Sequence, residues 1–341
     1  MKIITPDASG PLPTVLPMEI RDFEDGQRID TALLVREVEC CTKRDGSEYL
    51  RLTFGDRTGT VKAIMWDGAH ALAREVPVGT VAQVAARHAI HPKYGPQLLV
   101  DALAPAPEGS YDPASLLDGP PRGAAQMEAD LRELIATIQR PHLRRLLDAI
   151  LGEGAAGWAA YREAPAAKYY HQAYRHGLLE HSLTVAQAVS TISATFPGID
   201  RDIAVTGALL HDIGKLEAYT SDPMAIDLTD AGKLQGEIPL GYYKVRRTIE
   251  DIDGFPPGVA EAVLHIILSH HGALEHGSPV VPQTREATLV HMIDNLGGRL
   301  GSFDRIEKEL PDGERWSRFD RALGGSAYFP GRVPSGLTEA A

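Results

Sequence analysis

The chain has 341 residues, of which 43% are hydrophobic and 23% charged, and a formal charge of −12 at neutral pH. That length exceeds the usual single domain, so two cores are expected, and the apolar content excludes a disordered chain. The acidic balance argues against a basic-patch nucleic-acid binder, and the absence of a long apolar run or a signal-type apolar core points to a cytoplasmic protein with no membrane association.

Residues 1–16 form a short N-terminal segment, and residues 17–104 read as an all-β domain. This front part carries 12 Lys and Arg against 14 Asp and Glu, which leaves it nearly neutral. In EYLRLTF, Leu50, Leu52 and Phe54 alternate with Tyr49, Arg51 and Thr53, and turn signals bracket the run at KRDG and GDRTG. TVKAIMW follows as another strand, then a short helical piece in DGAHALARE, then VGTVAQVAARHAI, the turn HPKYG and QLLVDAL. Five strands with a helix between the third and fourth fit an OB-fold barrel, whose strand 2–3 face commonly meets single-stranded nucleic acid. The outward candidates for that contact are Tyr49, Arg51, Lys62 and Trp66, with Lys93 and Tyr94 on a loop. Cys40 and Cys41 are neighbours in a strand and point to opposite faces, which leaves neither a disulfide framework nor a CxxC zinc site.

Residues 105–123 are rich in Pro, Gly and Asp and read as a linker. From residue 124 to 310 the period is helical, an all-α domain, and residues 311–341 form a tail that mixes charge with aromatics. Nine of the thirteen His fall between His171 and His291. On the helix containing HGLLEHSLTVAQAVSTI, His181 shares a stripe with Leu178, Val185 and Val189 and so faces the core. Ala204, Ala208, His211 and Lys215 share the next face, provided the helix continues through Gly214. Asp212, beside His211, has two carboxylate oxygens and is suited to bridging two metal ions. In VAEAVLHIILSHHG, His270 and His271 close two adjacent apolar stripes at a helix end stopped by Gly272. Asp294 follows His291 by three residues on a further helix. With no CxxC motif available, the donors are nitrogen and oxygen, which suits manganese, iron, cobalt or magnesium better than structural zinc.

The series HGLLEHS, ALLHDIGKLEAY, ILSHHG and HMIDN resembles the HD superfamily of metal-dependent phosphohydrolases. With the N-terminal EYLRLTFGDRTGTVKAIMWD it is similar, more narrowly, to the OB-fold plus HD-domain 3′→5′ exoribonucleases of the YhaM type. The resemblance implies that His181, His211, Asp212 and Asp294 hold one ion and that Asp212, His270 and His271 hold a second. It also implies that Lys215 contacts the scissile phosphate, so Asp212 and Lys215 are the expected catalytic pair. Where the family usually reads Gly-His-Ile, this chain has Gly236, Glu237 and Ile238, so Glu237 takes the place of a His ligand of the second ion. Gln172 stands where a His is common, and His176 where a Gly is common. A homo-oligomer is expected from the resemblance alone.

The expected activity is metal-dependent, most readily Mn²⁺-dependent, hydrolysis of single-stranded RNA from its 3′ end to nucleoside 5′-monophosphates. Single-stranded DNA is a further candidate substrate. Two rivals remain: an HD phosphohydrolase of free nucleotides or cyclic dinucleotides, and a non-catalytic RNA-binding protein.

Overall fold

A computed structural model describes residues 18–330, apart from positions 44, 67, 68, 92, 93, 118, 169–171, 223, 311 and 312. The first unit is a closed five-stranded barrel of β1 (Arg28–Thr42), β2 (Glu48–Asp56), β3 (Gly59–Met65), β4 (Val81–His91) and β5 (Gly95–Pro105). The strand order is β1-β2-β3-β5-β4, with β4 returning to β1; β3 and β5 run parallel, and every other pair is antiparallel. This is the OB-fold arrangement. β1 closes the barrel by serving two neighbours. Arg28–Leu34 pairs with β4 and the half from Leu34 onward with β2, and a register shift between Val35 and Glu37 bends the strand between them.

Alternation sets the two faces of the barrel wall. Leu50, Leu52 and Phe54 are buried with Ile29, Val35, Val84 and Leu98, while Arg51 and Lys62 project outward. The expected helix after β3 is α1 (Ala69–Glu75), whose Leu72 packs with Val76 against the barrel core.

The second unit is helical. Its elements are α2 (Ala124–Ala136), α3 (Pro141–Leu151), α4 (Trp158–Glu163), α5 (Gly177–Ser193), α6 (Arg201–Leu210), α7 (Lys215–Ala218), α8 (Asp230–Gln235), α9 (Glu237–Glu250), α10 (Pro257–Ser269) and α11 (Arg285–Glu309). Leu178, Val185 and Val189 of α5, Ala204 and Ala208 of α6, Ile266 of α10 and Val290 of α11 share one core. Helix starts follow local chemistry. The Asp200 side chain accepts from Ile203 N at the start of α6, and the Thr284 hydroxyl accepts from Ala287 N at the start of α11. Pro141 and Pro257 open α3 and α10, where their missing N–H costs nothing. Residues 221–239 contain the six-residue α8 and the start of α9. Among the described residues no helix is long and apolar enough to cross a membrane.

Among the described residues the units touch at several places, α11 lying against β3. Met224 packs on a small cluster of Leu34, Val81 and Leu116, and a Cβ on Gly79 would lie 2.6 Å from the Ala225 methyl. Beyond α11 the chain turns back through bridges between Trp316 and Tyr328 and between Asp320 and Gly325. That segment is tied to α11 by the pair of Arg305 with Asp320 at 2.5 Å, and to the β4–β5 turn, where a Cβ on Gly95 would lie 3.2 Å from Arg318 Nη1.

Candidate metal centre

Five helix ends or faces converge on one point. His181 comes from the second turn of α5, His211 and Asp212 from the end of α6, His270 and His271 from the end of α10, Asp294 from α11 and Glu237 from the first residue of α9. α6 does not run on to Lys215 as the helical spacing required. It stops at Leu210, residues 211–214 form turns, and α7 begins at Lys215. The turn is closely packed on α9: a Cβ on Gly214 would lie 1.9 Å from Glu237 O and 2.4 Å from Gly241 N. Lys215 still reaches the centre, and its Nζ donates to Asp212 Oδ2 at 2.6 Å. At the end of α10, Gly272 has φ +81°, and a Cβ there would enter the His291 ring. The His291 ring in turn donates from Nδ1 to His270 O at 2.7 Å.

The donor atoms lie close together. His181 Nε2 is 3.2 Å from Asp212 Oδ2 and 3.2 Å from Asp294 Oδ1. His211 Nε2 is 3.3 Å from Asp212 Oδ2, and His270 Nε2 is 3.5 Å from Asp212 Oδ1. Three overlapping triads result: His181, His211 and Asp212; His211, His270 and Asp294; and Asp212, His270 and His271, each with its donor atoms within 4.8 Å of one another. Asp212 belongs to two of them. Glu237 stands outside the triads, with Oε1 3.7 Å from His271 Nε2, on the side of the pair formed by His270 and His271.

The residues present fit divalent ions. Asp212 Oδ1 and His270 Nε2 are buried and have no hydrogen-bond partner among the described residues, a costly arrangement unless a cation completes it. The imidazoles are turned the same way. Nδ1 donates to Ala208 O from His211, to Ile267 O from His270 and to His276 O from His271, at 2.7, 2.8 and 2.9 Å. A carbonyl oxygen only accepts, so each Nδ1 carries the proton and each Nε2 presents a lone pair to the centre. His181 Nδ1 donates to Gln172 Oε1 at 3.0 Å.

The electrostatics favour ionised carboxylates. Burial pushes the Asp212 carboxyl up, yet Lys215 and His211 outweigh it and hold the group well below the usual carboxylate range. Burial likewise opposes ionisation of Asp294, and hydrogen bonding to His181 outweighs it, holding the carboxyl below the usual carboxylate range. Burial alone would lower His181; hydrogen bonds to Asp212 and Asp294 carry it up to about 9. Lys215 is lowered by burial and raised by more through Asp212.

Two clefts flank the donors. One of about 280 Å³ opens on His181 and Lys215 and is walled by Ala166, Ala167, Gly298, Ser302 and Ala322. The other, of about 380 Å³, is lined by His270, His271, His276, His291, Asp294 and Asn295. Both lie near the lower end of small-ligand sites, which suits one nucleotide unit rather than a duplex.

The nucleic-acid candidates lie on the barrel, away from these donors. Tyr49 and Trp66 stand ring to ring at 5.2 Å on the outer face, and Lys43 Nζ lies 5.0 Å over the Trp66 ring. Lys62 is exposed on β3, and Tyr94 is exposed in the β4–β5 turn against His91. Arg51 is exposed but ion-paired with Glu39, its register partner across β1 and β2. Lys93 lies outside the described residues.

Two residues gained a role that spacing did not show. Gln172, one of two described non-glycine residues with positive φ, orients the His181 ring. His176, the other, sits at φ +69° where α5 begins, a backbone position that explains why Gly is common there. The family pattern flagged both positions, but neither conveys its role through periodicity.

A family model described as the HD domain matches residues 178–298. The chain is 29% identical over 310 residues to the 3′-5′ exoribonuclease YhaM of Geobacillus sp. (strain WCH70), covering 90% of this chain and 94% of that one. Two solved structures share low similarity. The second OB-fold domain of replication protein A from Methanococcus maripaludis has a TM-score of 0.23 at 19% identity, covering 28% of this chain and 98% of that chain. Aspartyl tRNA synthetase from Entamoeba histolytica has a TM-score of 0.22 at 11% identity, covering 57% of this chain and 40% of that chain. Neither score carries any weight, and the barrel is assigned from its own strand order. Residues 178–298 therefore form an HD domain, and the chain, an OB-type barrel followed by that domain, is similar along nine-tenths of its length to a YhaM-type 3′-5′ exoribonuclease.

Proposed function

We propose that this protein is a metal-dependent 3′→5′ exoribonuclease of the HD superfamily that releases nucleoside 5′-monophosphates from single-stranded RNA. The observation that carries this reading is the buried cluster of His181, His211, Asp212, His270, His271 and Asp294. Its orphaned Asp212 Oδ1 and His270 Nε2 call for a cation, and the cluster stands between two nucleotide-sized clefts in a chain that also bears a barrel.

His181, His211, Asp212 and Asp294 would hold one divalent ion, and Asp212, His270 and His271 a second with Glu237 beside it. Membership of Asp212 in two donor triads supports this division. All-nitrogen-and-oxygen ligation favours Mn²⁺, with Fe²⁺, Co²⁺ and Mg²⁺ as the alternatives. Bound ions of this kind supply Lewis acidity and bring a water's pKa toward neutrality.

The remaining steps belong to the chain's own groups. The carbonyl oxygens of Ala208, Ile267 and His276 and the amide of Gln172 fix the four imidazoles, so the donors need no reorganisation during reaction. The Lys215 ammonium, on Asp212 at the mouth of the smaller cleft, offsets charge on the phosphoryl oxygens as the P–O3′ bond breaks. Tyr49 and Trp66 offer stacking faces to bases upstream, and Lys62 a cation to the backbone.

A time course on 5′-end-labelled single-stranded RNA with Mn²⁺ and with chelator tests the proposal. A Mn²⁺-dependent ladder shortening from the 3′ end is the expected result. RNA that stays intact while cyclic dinucleotides are hydrolysed would replace it with the small-nucleotide reading, which the pairing of Arg51 with Glu39 on the barrel favours. Single-stranded DNA in the same assay, and mass in solution, test the accompanying proposals of a second substrate and a homo-oligomer.

A further inference from the structure

The segment after α11 reads Arg315, Trp316, Ser317, Arg318, Phe319, Asp320, Arg321, with cations and aromatics interleaved in a chain whose net charge is −12. Trp316 is 60% and Phe319 69% exposed, so both rings are largely open to solvent between the cations. Arg315, Arg318 and Arg321 are exposed and form no ion pair with a described carboxylate, whereas Asp320 is taken by Arg305. The segment also occupies a bridging position. Arg318 lies against Gly95 in the β4–β5 turn of the barrel, and Ala322, four residues on, walls the cleft that opens on His181 and Lys215. The barrel's strand 2–3 face offers fewer free cations, since Arg51 is paired with Glu39 and leaves Lys62.

We propose that residues 315–322 form a platform for single-stranded nucleic acid, stacking bases on Trp316 and Phe319 and pairing phosphates with Arg315, Arg318 and Arg321, and that it leads the strand from the barrel into the metal-centre cleft. Stacking on exposed rings beside exposed guanidinium groups is the chemistry that takes single strands without reading their sequence. The destination of the 3′ end rests on the exoribonuclease reading; the binding role of the platform does not.

The test uses the full-length protein and a 5′-fluorescein-labelled uridine oligonucleotide, with anisotropy read in chelator so that nothing is cleaved. Phe319→Ala, which disturbs no described ring contact, weakens binding at least about fivefold, and Phe319→Tyr restores it. Arg315→Gln with Arg321→Gln flattens the plot of log affinity against log salt by about 1.4, roughly 0.7 per cation removed. Phe196→Ala, an exposed ring before α6, changes neither reading. Wild-type affinity and salt slope in the Phe319 and Arg variants would overturn the platform. So would unchanged affinity accompanied by loss of an oligomer, which would reassign the patch to contact between copies. A wild type that binds the oligonucleotide through these residues but leaves RNA intact with Mn²⁺ would support the platform and defeat the exoribonuclease reading. RNA shortening that survives in every variant at unchanged affinity would do the reverse.

Discussion

The outer wall of the barrel and the interior of the helical unit handle polar groups in opposite ways. On the wall, Arg51 pairs with Glu39 and the Thr53 hydroxyl with Glu37, so the face is satisfied by its own neighbours and by water. In the helical unit, Asp212 Oδ1 and His270 Nε2 are buried without hydrogen-bond partners among the described residues, while the His181, His211, His270 and His271 rings are held from behind. Exposed pairs of this kind add little to stability and need nothing further to complete them. A centre left incomplete by the protein alone is where a cation belongs.

The comparison breaks most readily at Asp212. Asp212→Ala removes the carboxylate shared by two donor triads and lowers Mn²⁺-dependent RNA hydrolysis at least about a thousandfold, about 4 kcal/mol of transition-state stabilisation. Hydrolysis within tenfold of wild type would show that the cluster is not the catalytic centre. Next in size is metal removal. An ion present at about 100 times its Kd stabilises the fold by about 2.7 kcal/mol. For a unit of this size, that moves the melting temperature by about 5–10 °C. Identical melting curves with Mn²⁺ and with chelator would mean that the orphaned donors do not bind the ion. A smaller effect is expected at Gln172. Gln172→Leu leaves His181 Nδ1 without its acceptor and weakens Mn²⁺ binding about 10- to 100-fold in a calorimetric titration. Unchanged affinity would reduce Gln172 to a turn residue. The smallest effect separates the two barrel cations. Lys62→Ala lowers the salt slope of RNA binding by about 0.7, and Arg51→Ala by less, because Glu39 already neutralises Arg51. Equal slopes for both would remove the distinction between paired and free charge on that wall.

Much of the architecture was legible in sequence because it obeys short periods. Leu50, Leu52 and Phe54 alternate and line the barrel core; Leu178, His181, Val185 and Val189 recur at helical spacing and all face inward. Lys215 shows the limit of that reasoning. Helical spacing placed it beyond His211 on a continuous face, yet α6 ends at Leu210 and residues 211–214 turn, with Gly214 packed closely on Glu237 O. Lys215 arrives through a turn, at Asp212 rather than above the imidazole. Arg51 is a second case: alternation gave its outward direction, but its partner Glu39 depends on the register between β1 and β2. His176 is a third. Its left-handed backbone costs about 1–2 kcal/mol, and the hydrogen bond from its Nδ1 to Arg162 O at 2.6 Å offsets part of that cost.

The sequence by itself determined which residues have the chemistry to ligate an ion. Residue type decides what can ligate an ion, and spacing within an element decides which face a residue shares, both of which are local properties. Tertiary structure decided that donors from α5, α6, α9, α10 and α11 meet within a few ångströms, that two clefts reach them, and that the segment beyond α11 lies between barrel and centre. Those facts depend on how helices cross and where turns are forced to close, and such packing is set by contacts between residues distant in the chain.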